Sequence, residues 1–223
     1  MLDYECTEER FLEDIKNHEM TILKDDGIYR HLRFSRGGSS VYYFDIVTYP
    51  NHLVISGDMG CFASSRLTDM FQFYRTADND FNKNKNGLSI NPSYWGEKII
   101  SGRDEIEEFS IKKLKRVVIE YIDRGVDGED WSEDEIQELK DDILSNIEYT
   151  DENSVRMYDM MSEYEFYKGN ELWKEAPDFE FTDWWDNHSS CGEYTFHYIW
   201  KCYAIAYAVQ EYDKFKQGEI AVE

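Results

Sequence analysis

Near the end of the chain, four side chains carry the atoms of a zinc site: His188, Cys191, His197 and Cys202. Their separations of 3, 6 and 5 residues match no familiar zinc module. An imidazole and a thiol inside an apolar helix are more often packed core groups. His52, Asp58 and Ser64 make a catalytic triad on paper, but any chain of this length offers such triples. Arg33-Phe34-Ser35-Arg36-Gly37-Gly38-Ser39-Ser40 pairs two arginines with glycine amides that can cradle a phosphate. It lacks the lysine of a P-loop and no helix pattern follows, so a hairpin turn is the simpler reading. Ser56-Gly57-Asp58-Met59-Gly60 has no hydroxyl or thiol between its glycines and reads as a tight turn. Asp123, Gly125, Asp127 and Gly128 sit between two helical patterns, as in a calcium loop. There, Gly125 replaces an oxygen ligand and Asp134 stands where a bidentate Glu is required. These patterns assign no catalytic residue, no metal and no cofactor.

The stronger signal is charge. The chain has 223 residues with 24 Lys+Arg against 47 Asp+Glu, a formal charge of −23. Residues 120–152 hold 14 acidic and two basic residues (2 − 14 = −12), about half of that total. After Ser132, the helical spacing sets Glu133, Asp134, Glu138, Asp141 and Asp142 opposite an apolar stripe of Ile136, Leu139, Ile143 and Ile147. Two carboxylates per turn amount to one charge per ~2.7 Å of helix axis, comparable with duplex DNA at ~1.7 Å, or ~3.4 Å per strand. With Glu129 and Asp130, these residues form a candidate partner-binding face for a Lys/Arg groove that ordinarily holds nucleic acid. Direct binding of DNA or RNA by so acidic a chain is disfavoured. The plainer reading of an acidic helix face is solvated surface. Trp184-Trp185, set between Asp183 and Asp186, reads as a core plug under a long loop or as an exposed contact for a basic protein.

The elements that must position these groups follow from pattern. Aromatics make up 16% of residues and only 3 are Pro, which excludes a disordered or collagen-like chain. A helix is predicted over 7–24, with Phe11, Ile15 and Ile22 on one face. Short β-rich runs over about 28–64, broken by Gly37-Gly38, Pro50-Asn51 and Gly57–Gly60, predict an antiparallel meander. Ser65 is expected to cap the next helix, residues 76–87 to form a loop, and Asn91-Pro92-Ser93 to open a short element. Helices are predicted after Ser110, after the Ser132/Glu135 capping box, near Ser154, and from Thr195 to Lys214. The last of these is apolar nearly all round and so requires neighbours on every side. The fold class is therefore α+β: a small antiparallel sheet packed with helices (1–105), then a mainly helical acidic half (106–223), possible as one continuous domain. The acidic N-terminus argues against a secretory signal, and the 16 residues from Tyr194 to Val209, which include His197 and Lys201, are too short for a membrane span. Cys6, Cys61, Cys191 and Cys202 are expected to be reduced thiols in a cytoplasm.

Three stretches, SVYYFDIVTYPNHLVISGDMGCFASSRLTDMFQFYR (40–75), INPSYWGEKI (90–99) and FTDWWDNHSSCGEYTFHYIWKCYAI (181–205), resemble a group of proteins encoded by tailed bacteriophages and prophages. The likeness covers about a third of the chain and is strongest at Gly57-Asp58-Met59-Gly60 and in the final helix. It carries over no functional residue. It implies action in the cytoplasm of a bacterial host, where acidic phage proteins recurrently occupy the nucleic-acid-binding surfaces of defence systems. The expected function is therefore a DNA-mimicking inhibitor of a host defence machine, of the anti-CRISPR or anti-restriction type. The partner is the basic surface of a nucleic-acid-binding protein, with no direct nucleic acid and no membrane. Two alternatives remain open: an enzyme binding a nucleotide or phosphate ligand near Arg33 and Arg36, and a phage structural or assembly protein.

Overall fold

A computed structural model describes residues 6–75, 87–126, 131–150, 154–170 and 177–218. The fold is α+β, in two compact units. Unit 1 combines Met1–Glu107 with Tyr194–Glu223, and unit 2 is Glu108–Glu193. The helices are α1 (Glu8–Ile15), α2 (Met70–Tyr74), α3 (Pro92–Gly96), α4 (Ile111–Gly125), α5 (Glu133–Tyr149), α6 (Ser154–Ser162) and α7 (Phe196–Lys216). The boundary expected at 105–106 falls between 107 and 108, and the last helix does not join the helical half. It returns to the sheet because its apolar surface matches that of the strands.

Unit 1 is built on a six-stranded antiparallel sheet in sequential order: β1 (Glu19–Asp26), β2 (Tyr29–Ser35), β3 (Phe44–Tyr49), β4 (His52–Gly57), β5 (Gly60–Ser65) and β6 (Ile99–Ser101). Period-2 alternation turns Leu32, Phe34, Phe44, Ile46, Leu53, Ile55 and Phe62 into the core. Tight turns set the register: Asp26 pairs with Tyr29, Tyr49 with His52, and Gly57 with Gly60. Gly57 is demanded by close approach, since a Cβ there would lie 2.1 Å from the Tyr43 carbonyl oxygen. The helix predicted over 7–24 stops at Ile15, and 19–26 is a strand. Phe11 and Ile15 do face the core from one helix face, but Met20-Thr21-Ile22 is also β-favouring and pairs with Phe34, Arg33 and Leu32 of β2. Asp69, not Ser65, caps α2, because Ser65 remains in β5.

Helix α7 supplies the other side of this core. Its residues Trp200 to Ile205 are all buried, leaving no polar face along that stretch. Trp200 meets the rings of Phe11 and Phe44 at 5.0 and 5.6 Å, while Tyr212 meets Phe71 at 5.2 Å. Polar groups pin the helix along its length. Trp200 Nε1 donates to Asp14 (3.2 Å), Tyr198 Oη to the Pro92 carbonyl (2.6 Å) and Tyr212 Oη to Asp25 (2.6 Å).

Two cations are buried in this core, and the surroundings treat them differently. Arg30 donates two hydrogen bonds to Asp69 (2.8 and 3.1 Å) and lies over the Phe71 ring at 4.6 Å. Lys201 is 1% exposed, makes no hydrogen bond or ion pair with the described residues, and is held below the ordinary lysine pKa by burial.

Unit 2 packs α4, α5 and α6 around Leu114, Val118, Ile122, Leu139, Ile143, Met157 and Trp184. A two-residue ladder, Glu165 to Glu180 and Phe166 to Phe179, closes one side. Among the described residues, no helix is long and apolar enough to cross a membrane.

Asp69→Ala leaves the Arg30 guanidinium buried without a counter-charge and uncaps α2, and is expected to cost about 3–5 kcal/mol in urea unfolding. Lys201 gives a pH signature. Its folded-state pKa lies below the unfolded value of about 10.4, so the unfolded chain binds more protons and stability rises with pH up to that point. Thermal melts of Lys201→Met are expected to show a flatter rise over the alkaline limb than wild type.

Candidate functional site

Unit 2 holds 25 acidic and 9 basic residues (9 − 25 = −16), most of the chain's charge of −23 in 86 residues. Helix α5 carries the densest part. Ser132 accepts the Glu135 amide, and the Glu135 carboxylate takes the Ser132 N–H at 2.7 Å, a complete capping box. Those bonds hold the Glu135 carboxyl below its usual range. Glu133, Asp134 and Glu135 also face the positive end of the helix dipole, so local helix energetics account for acid in the first turn. Beyond the first turn this benefit is gone, and Glu138, Asp141 and Asp142 need another account.

Leu139, Ile143 and Ile147 anchor the buried face of α5, while Glu133, Asp134, Glu138, Asp141 and Asp142 are all exposed. Lysines neutralise the flanks: Lys140 pairs with Asp123, Lys115 with Glu148 (2.8 Å) and Lys168 with Glu135 (3.6 Å). Lys168 also lies 3.9 Å from the centroid of the Trp131 ring. None of the five exposed carboxylates forms an ion pair with the described lysines and arginines. Asp141 accepts from Gln137 (2.8 Å), and Asp142 accepts from Tyr164 Oη (2.8 Å) and Asn146 (3.2 Å). Burial and the Asp142 carboxylate both push the Tyr164 hydroxyl pKa up, keeping it a donor. Asp142 therefore has a structural duty that its neighbours lack. Beside it runs an open groove of about 550 Å³ lined by Asp142, Asn146, Arg156, Asp159, Glu163 and Glu165, among others. Glu129 and Asp130, predicted members of the face, lie outside the described residues.

The other patterns are not brought together. Arg33 donates from Nε and Nη2 to Asp45 (2.8 and 2.7 Å), its cross-strand partner, so its guanidinium is engaged within the sheet. His52 Nδ1 lies 2.9 Å from the Pro50 carbonyl, Asp58 accepts the Tyr42 amide, and Ser64 is buried against Tyr74 Oη. These are three separate structural roles rather than a triad. Asp123 lies inside α4, while Asp127 and Gly128 are outside the described residues. Cys191 is buried in unit 2, Cys202 is buried in unit 1 and His197 is exposed. The described residues contain no group of three His, Cys, Asp or Glu side chains able to hold a metal. All four cysteines are free. Trp184 is buried in the unit 2 core, 4.7 Å from the Phe181 ring. No protein-family model, curated protein or solved structure matches the chain.

Sequence reasoning passed over Lys201 as a functional group. The available signal was a single lysine within an apolar run of helix.

Carboxylates four residues apart on one helix face repel by about 0.2–0.5 kcal/mol per pair. Glu138→Gln with Asp141→Asn keeps the Asp142–Tyr164 bond and is expected to raise the melting temperature slightly at low salt. The gain should disappear in high salt, where the repulsion is already screened.

Proposed function

We propose that the protein is an acidic inhibitor whose α5 face occupies the Lys/Arg groove of a nucleic-acid-binding protein. One observation carries this reading: Glu133, Asp134, Glu138, Asp141 and Asp142 have no cation of their own among the described residues, although lysines neutralise their flanking neighbours. From Asp134 to Asp142 the helix advances about 12 Å with four exposed carboxylates, a mean separation of about 4 Å along the axis. That spacing is close to the ~3.4 Å of phosphates along one DNA strand. Self-repulsion along the face is relieved when a cationic surface is laid against it, which favours the complex. The likeness to tailed-phage proteins directs the target class towards a bacterial defence machine, an RNA-guided or restriction nuclease, met in the host cytoplasm. Asp134, Glu138 and Asp141 are the central contacts, Glu133 and Asp142 flank them, and Glu129 and Asp130 extend the charge along the sequence.

Such a contact is ionic, so affinity should fall steeply with salt, as it does for the nucleic acid displaced. Bacterial lysate passed over the immobilised protein at low salt is expected to leave a nucleic-acid-binding protein that duplex DNA competes off. Glu138→Lys with Asp141→Lys is expected to abolish capture while leaving the melting curve cooperative. Capture unchanged by that variant, or insensitive to salt, would sink the reading.

A further inference from the structure

Lys201 occupies the second turn of α7, and the same helix fixes what surrounds it. Thr195, the N-cap of α7, accepts the Tyr198 amide and donates its hydroxyl to the Glu105 carbonyl at 2.9 Å. Residue 105 is thereby tied to the start of the helix that carries the lysine. The Lys201 stem is buried, and its Nζ stands over the Phe62 ring, 5.4 Å from the centroid. Above it lies the turn between β4 and β5. At exposed Gly60, the position a Cβ would fill is 3.6 Å from Lys201 Nζ and 3.6 Å from Glu105 Oε2. The bare α-carbon thus leaves a gap, flanked by an amine and a carboxylate.

Burial of the Lys201 side chain disfavours its charged form, so its pKa lies below the ordinary lysine value. Glu105, Cys61 and Cys202 favour the charged form, but burial outweighs them. Methionine would fill the same space without that cost, so packing does not explain the amine. A lowered pKa raises the fraction of lysine present as the neutral, nucleophilic amine at a given pH. Independently of the α5 face, we propose that Lys201 is a carbonyl-reactive amine that forms an imine with a small aldehyde or ketone entering beside Gly60, with Glu105 relaying the proton. The Nζ lone pair bonds to the carbonyl carbon, and the π pair moves to oxygen, which takes a proton from water. The Glu105 carboxylate receives the proton lost by nitrogen and returns it to the hydroxyl. The C–O bond then breaks, water leaves and a protonated C=N bond forms. Its remaining N–H proton passes to the hydroxide left by the first water and gives the neutral imine. The balance is amine plus carbonyl giving imine plus water, with no change of oxidation state. The gap takes one carbon atom in ordinary contact with both groups, which limits the ligand to a small one.

The test is reductive alkylation of the full-length protein by propanal and cyanoborohydride, read by peptide mass spectrometry. A surface lysine is only about 0.04% neutral at pH 7. Lys201 is therefore expected to be alkylated at least about tenfold faster than exposed Lys16 and Lys24. Its rate is expected to level off at a lower pH than theirs, which climb about tenfold per unit until their own higher pKa. Glu105→Gln is expected to slow Lys201 about tenfold to a hundredfold, with the melting temperature unchanged. A Lys201 rate that tracks Lys16 with pH overturns the proposal. So does a Lys201 that reacts only in urea, and an unchanged rate in Glu105→Gln overturns the proton relay.

Discussion

An ionised group without a counter-charge is tolerated only where water solvates it, and this constraint sorts the charges of the protein. Arg30 is buried and has Asp69 with two aromatic faces; Arg33 is held by Asp45. Lys201 is buried with no such partner, and its environment favours loss of the proton. Glu133, Asp134, Glu138, Asp141 and Asp142 of α5 form no ion pair among the described residues and lie in solvent. Both proposals come from this sorting. One concerns charge that is left for another molecule to neutralise, the other a charge that burial disfavours.

The second organising fact is the lack of a polar face along the centre of α7. A helix buried from Trp200 to Ile205 must be enclosed, and the sheet with α1, α2 and α3 does so. The carboxylates of Asp14 and Asp25, placed by α1 and β1, take the indole of Trp200 and the hydroxyl of Tyr212. Aromatic bulk and a few polar pins therefore define unit 1, while the acid concentrates in unit 2.

Much of this was legible because its causes are local. The Ser110, Ser132/Glu135, Asn91 and Thr195 caps each sit beside the donors they satisfy, and the meander announces itself through its turns. The acidic stripe follows from helical spacing alone. What failed depends on distant partners. Residues 19–24 suit a helix or a strand by composition, and only pairing with β2 decides between them. An all-round apolar helix announces that it is enclosed without saying by what, so α7 was grouped with the wrong half. Arg30, Leu32 and Phe34 share an inward face by alternation, yet the answering carboxylate of Asp69 lies 39 residues away. Lys201 was visible as an anomaly, but its isolation became clear only beside Gly60 and Glu105.

The central claim is that the unpaired carboxylates of α5 meet a cationic surface. Zero-length carbodiimide coupling, which joins a carboxylate to an amine in direct contact, tests it on the complex formed with a captured partner. The account predicts that partner lysines become linked to Glu138, Asp141 and their neighbours on α5, and that duplex DNA suppresses those links. Links confined to carboxylates of unit 1, with α5 unlabelled, would contradict it.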